Sequence, residues 1–237
     1  MTGIDQGALA SAVAEWISPG VEILEPGPRA RGLIPRAWWP VAESSDPEQR
    51  KRIALSLWND DFLAMIPRYA EALRTMLVDV RVAKHDFYTT PTLDYVVRTA
   101  EGALRVWAGD DPRTFGGTAP ALFEAIPDAV ATFLRQVHAG YATLDGETAG
   151  LAAPTDMVTL AARWGSPDEN EILDWDEDAS FPGSQRLLLL TSDGDDTALY
   201  VSPDLPAGTA VTYYEPDYEI APLGAALDDF MNRPLER

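Results

Sequence analysis

The stretch from Leu187 to Pro216 constrains this chain more than any other part of it. It reads LLLLTSDGDDTALYVSPDLPAGTAVTYYEP. LLLLT is almost wholly apolar, the pattern of a central strand buried on both faces. Ser192-Asp193-Gly194-Asp195-Asp196 follows, and Asp-Gly between apolar runs is a strong hairpin signal. TALYVS then pairs back, Pro203 to Gly208 turns the chain again, and TAVTYYEP supplies a third strand. A helix precedes this stretch from Pro127, with Ile126, Val130, Phe133, Leu134 and Val137 in one apolar stripe and Gly140 as its C-cap. A second helix closes the chain, with Leu227 and Phe230 on one face. Residues 126–237 are therefore expected to form one helix-flanked, mainly antiparallel sheet.

The N-terminal half reads differently. Ala8 to Ile17 spaces Leu9, Val13, Trp16 and Ile17 as one helical face. Prolines at 26, 28, 35 and 40 argue against a regular element there and for an extended segment that packs Trp38 and Trp39 down. Ser45-Asp46-Pro47-Glu48 is a helix start, with a capping residue, proline in the first turn and acid near the positive end of the dipole. A further helix spaces Leu63, Ile66, Ala70, Leu73 and Leu77 at three and four, with Pro67 in its first turn or at a kink. The cluster Arg50-Lys51-Arg52 reads as a solvated helix face. After Leu77 the period changes to two, and residues 78–108 read as a three-stranded meander with a turn at Glu101-Gly102. The class expected is α+β: an N-terminal helical segment followed by a strand meander over residues 1–118, then an α+β unit over residues 119–237. The boundary falls in the loop around Gly116-Gly117, and the two parts merge if their strands share a sheet.

Charge separates the halves further. The 237 residues carry a formal net charge of −20. Residues 121–237 hold 22 acidic and 5 basic side chains, a net −17; residues 1–120 hold 16 and 13, a net −3. Such a field repels phosphate backbones, which excludes direct nucleic-acid binding by the C-terminal half, and attracts a basic partner. Acidity also keeps proteins soluble, so charge alone does not choose between the two readings. The absence of cysteine fits a reducing compartment. The first residues lack the basic and apolar regions of a signal peptide, and no window is apolar enough for a membrane span. A cytoplasmic location is expected, with no membrane association.

The residues offer little chemistry. There is no GxSxG elbow, no phosphate loop of the GxxxxGK[ST] type and no HExxH. His85 has no Cys, His or carboxylate at ligand spacing and reads as structural. His138 reads as a cation in the last turn of its helix, suited to the dipole. Asp174, Asp176 and Asp178 fall at positions 1, 3 and 5 of a calcium loop, but Ala179 and Gln185 stand where that loop needs glycine and a bidentate glutamate. No catalytic residues, metal or cofactor are assigned, and the expectation is a binding protein, not an enzyme.

The helix IPDAVATFLRQVHAG, the acidic segment after it, the strand ending in a Ser-Asp-Gly turn, the aromatic pair in VTYYEP and the final LDDFM helix together resemble the Smi1/Knr4-like family, the SUKH superfamily. The matching residues are Pro127, Phe133, Gly140, Ser192, Asp193, Gly194, Tyr213, Tyr214 and Phe230, and the resemblance covers residues 126–237. After the aromatic pair this chain departs from the family pattern with Glu215-Pro216-Asp217-Tyr218. The resemblance implies an α+β fold and, in bacteria, an immunity protein that binds and neutralises a toxin domain, often a nuclease. A regulatory or scaffold module of the same fold is the alternative, and a carboxylate or metal-dependent enzyme is a third.

A partner face is expected where acids and aromatics coincide. It comprises Asp174, Trp175, Asp176, Glu177 and Asp178, the turn at Asp193, Asp195 and Asp196, and the segment Tyr214, Glu215, Asp217, Tyr218 and Glu219. Aromatic anchors set among charges are what a recognition surface needs. The alternative is that the aromatics are core and the acids serve solubility.

Overall fold

The structure is a computed structural model, which describes residues 3–13, 20–144, 149–163, 181–193, 197–214 and 217–236. It is α+β, built from two antiparallel sheets. The first has six strands in chain order: β1 (Val21–Ile23), β2 (Leu77–His85), β3 (Thr92–Arg98), β4 (Leu104–Gly109), β5 (Tyr141–Thr143) and β6 (Gly150–Leu151). The second has four: β7 (Leu188–Ser192), β8 (Thr197–Val201), β9 (Thr209–Tyr214) and β10 (Asp217–Pro222). The expected meander is β2 to β4. Its second turn closes through Thr99 N–H to the Ala103 carbonyl at 2.9 Å, with Gly102 at φ 92.

Residues 126–237 do not make one sheet. β5 and β6 extend the meander, so the six-stranded sheet crosses the boundary expected near residue 118. The main core does the same: Trp38, Trp58, Tyr69, Tyr95 and Trp107 pack with Phe133, Tyr141, Leu188, Leu199 and Phe230. The loop at Gly116-Gly117 is a surface connection inside a shared core.

Helices cover the first sheet: α1 (Gln6–Val13), α2 (Pro28–Leu33), α3 (Trp39–Glu43), α4 (Pro47–Leu55), α5 (Asp60–Met65), α6 (Pro67–Met76) and α7 (Asp128–Gln136). The proline-rich stretch is thus not simply extended. Pro28 and Pro40 each occupy a first helical turn, where a missing N–H is tolerated. Trp38 is buried, as expected. The Asp46 side chain accepts from Glu48 N–H at 3.1 Å and caps α4. Pro67 starts a new helix and does not kink an old one.

Two further α-helices among the described residues are α8 (Leu160–Arg163) and α9 (Leu223–Asn232). The latter is tied to α6, far away in the chain. The buried Asp228 carboxylate accepts from Arg68 N–H at 3.1 Å and Tyr69 N–H at 2.8 Å, capping the first turn of α6 from 160 residues away. Those donors have no partner inside their own helix.

LLLLT is buried on both faces, as its composition requires. Leu188 and Leu190 join the main core, while Leu187 and Leu189 join a second one with Tyr200, Val211 and Tyr213. It is the last strand of its sheet, however, and not a central one. Its outer edge is closed by the 152–160 segment: Ala152 N–H reaches the Leu190 carbonyl and Leu189 N–H the Val158 carbonyl, both at 2.9 Å.

Candidate functional site

The strand register of the second sheet brings two of the expected acidic segments together. Thr197 pairs with Tyr214, and Tyr214 pairs with Asp217. Asp193 N–H donates to the Thr197 carbonyl at 3.1 Å. Asp193, Thr197, Tyr214 and Asp217 therefore stand side by side at one end of the sheet. β10 is a terminal strand, exposed along most of its length. Tyr214 is 39% exposed, Tyr218 37% and Ile220 46%, among the most exposed large apolar side chains of the described residues. They alternate with exposed Asp217 and Glu219.

The expected residues separate into three groups. Tyr214, Asp217, Tyr218 and Glu219 lie on this exposed strip, with Tyr218 also packing on Phe181 at 4.3 Å between ring centroids. Asp193 is engaged within the chain: it accepts from Thr197 N–H at 3.2 Å and pairs with Arg233 at 3.3 Å. Asp174, Trp175, Asp176, Glu177, Asp178, Asp195, Asp196 and Glu215 lie outside the described residues.

A cleft of about 330 Å³ opens beside the same end of the sheet, with Ser192 on its wall. Ala108 and Ala142, cross-strand neighbours on β4 and β5, contribute small side chains to its lining. Asp110, Asp156 and Tyr88 bring polar groups into it. Gly140 makes room for the Asp110 carboxylate: a Cβ there would meet Asp110 Oδ2 at 2.6 Å, and its φ of 137 suits glycine. Burial, then the charges of Asp156, Asp94 and Asp111, raise the Asp110 carboxyl to about 7. Burial and the charges of Asp110, Asp94 and Asp156 likewise hold the Tyr88 phenol well above its ordinary range.

Sequence spacing gives no hint of Asp110 and Asp156, which lie in two loops separated by more than forty residues. It also misreads His138. That residue follows α7 and is wholly buried, and desolvation lowers it to about 3. It is neutral and cannot act as a cation at the helix end. Its Nδ1–H donates to the Asp110 carbonyl at 3.3 Å, which leaves Nε2 to accept from the Tyr95 hydroxyl at 2.9 Å. The Tyr95 oxygen accepts in turn from Trp58 Nε1–H at 3.0 Å. His85 is also buried, with Nε2 2.8 Å from Asp94 Oδ2. For His85 this buried pairing agrees with the structural reading, and the His138 imidazole likewise serves packing and hydrogen bonding. Neither lines the cleft.

Among the described residues no group of three or more His, Cys, Asp or Glu side chains is placed to hold a metal ion. The cleft instead presents a carboxyl poised between its two charge states, suited to receiving a cationic group. No helix of the described residues is long and apolar enough to cross a membrane. Comparison with protein-family models, curated proteins and solved structures returns no match.

Proposed function

We propose that this chain is an immunity-type binding protein that captures a basic toxin domain, of the nuclease kind, through the acidic end of its four-stranded sheet. The observation that carries this reading is the register of that sheet. It sets Tyr214, Asp217 and Glu219 on one face of the exposed edge strand and Tyr218 and Ile220 on the other, in the half of the chain with a net charge of −17, so a partner that straddles this edge meets both sets. Exposed aromatic and apolar side chains supply contact area, and the acids around them supply attraction to a basic surface. The Asp110 cleft beside Ser192 adds a recess for a lysine or arginine of that partner. The resemblance of residues 126–237 to the Smi1/Knr4-like family points the same way.

Co-expression with the product of the adjacent reading frame tests the proposal. The expected result is a complex that survives purification and abolishes the toxicity of that product. The same experiment with Tyr218→Ala and Ile220→Ala should weaken the complex. Unrelieved toxicity with both proteins soluble and folded would reject the reading.

A further inference from the structure

The N-terminal half contains a second cleft, of about 250 Å³, whose chemistry is opposite to that of the acidic face. Pro26 and Ala42 contribute accessible apolar surface over the buried Val41 and Val82, and two guanidinium groups, Arg50 and Arg81, line it. Their situations differ. Arg50, expected on a solvated helix face, is instead 2% exposed. Its Nε and Nη2 donate to the two oxygens of buried Asp79 at 2.8 and 2.7 Å, and its Nη1 donates to the Ser44 carbonyl at 2.9 Å. Asp79 is completed by Ile4 N–H and Val80 N–H. These bonds use three of the five Arg50 N–H donors, and burial of both partners withdraws the pair from solvent.

Arg81, on β2, is half-buried, and its side chain makes no hydrogen bond or ion pair among the described residues. Burial and the charge of Arg50 lower its proton affinity, against the opposing pull of Asp79 and Glu25. An arginine nonetheless stays charged in a protein. The cleft therefore holds a partly desolvated cation whose fork of donors has no acceptor. Ser45 adds a hydroxyl at the rim. Of the two acids that also line it, Glu43 accepts from Arg31 Nε at 2.8 Å. Glu25 remains and disfavours multiply charged anions.

We propose that this cleft binds a singly charged carboxylate attached to a short apolar body, with the carboxylate gripped by the Arg81 fork and the body against Pro26 and Ala42. A planar carboxylate fits two parallel guanidinium donors, and the pair is shorter and stronger than a neutral hydrogen bond. The remaining Glu25 charge selects the monoanion over a phosphate dianion. Such a group occurs on a free short-chain acid and at the C-terminus of a peptide ending in an aliphatic residue.

Amide chemical shifts of the full chain, followed during titration with 4-methylpentanoate, N-acetyl-Ala-Ala-Leu, its C-terminal amide and inorganic phosphate, test this. The expected result is saturable shifts around residues 23–26 and 41–45 with 4-methylpentanoate, at roughly millimolar affinity. Response to the acid alone assigns a small carboxylate. Response to the free-acid tripeptide as well admits a chain terminus, and either outcome upholds the site. Arg81→Gln should weaken binding by about tenfold or more while leaving the remaining spectrum in place. Arg81→Lys, which keeps the charge without the fork, should fall between. No response to either acid, an equal response to the amide or to phosphate, or unchanged binding in Arg81→Gln would overturn the assignment.

Discussion

Tyr95 shows what a single residue does in this core. Its hydroxyl accepts from Trp58 and donates to His138, and all three side chains are buried. Tyr95→Phe keeps the ring and removes both bonds, leaving an indole N–H and an imidazole nitrogen without partners. It should destabilise the protein by roughly 2–4 kcal/mol, read from urea unfolding, since each stranded buried group costs about 1–3 kcal/mol. An unchanged midpoint would mean that the three-residue chain contributes nothing to stability. Asp110 behaves in the opposite sense. Burial, and then its acidic neighbours, raise it to about 7 from the 3.8 of a free carboxylate. Folding is therefore penalised above pH 7, where the group must ionise, and the penalty disappears as pH falls towards 4. Asp110→Asn should stabilise the protein at pH 8 by roughly 1–2 kcal/mol and have little effect near pH 4. Equal effects at both values would contradict that electrostatic origin. None of these roles was legible in the sequence. The partners are 37 and 43 residues apart in one case, and the two loops of the Asp110 cleft are further apart still. Only the fold sets them together.

At the scale of elements the sequence was more informative, though unevenly. The capped start at Asp46-Pro47, the change of period after Leu77 and the Asp-Gly punctuation before Thr197 all mark real boundaries, because each is fixed by local backbone chemistry. The expectation for the proline-rich stretch failed because proline forbids a helix interior but favours a helix start, and composition does not distinguish the two. Sheet membership failed for a related reason. β5 and β6 are three and two residues long, and their place beside β4 depends on cross-strand partners that no local pattern reveals. The link between α9 and α6 makes a measurable case. Asp228 caps α6 in place of any residue of that helix, so Asp228→Ala should cost about 1–3 kcal/mol. It should also raise hydrogen exchange at Arg68 and Tyr69 before it does so elsewhere. Uniform exchange changes across the core would show that the cap has no local role.

The whole molecule combines a main core shared by both halves of the chain with an uneven charge. The net −17 of residues 121–237 was plain from counting, and part of the surface built from it emerges in the strip on β9 and β10. What counting did not show is that Asp193 is committed to Thr197 and Arg233, or that a largely unpaired arginine faces a cleft in the other half. If the acidic end of the second sheet recruits a basic domain, charge should act mainly on the encounter. The most direct measurement is the association rate with the partner recovered by co-expression, followed by stopped flow across ionic strength. The association rate should fall roughly tenfold or more between about 0.01 and 0.15 M salt, with a much smaller change in dissociation. Asp217→Lys with Glu219→Lys should slow association at low salt without altering thermal stability. An association rate indifferent to salt and to that charge reversal would contradict recruitment through the acidic end of this sheet.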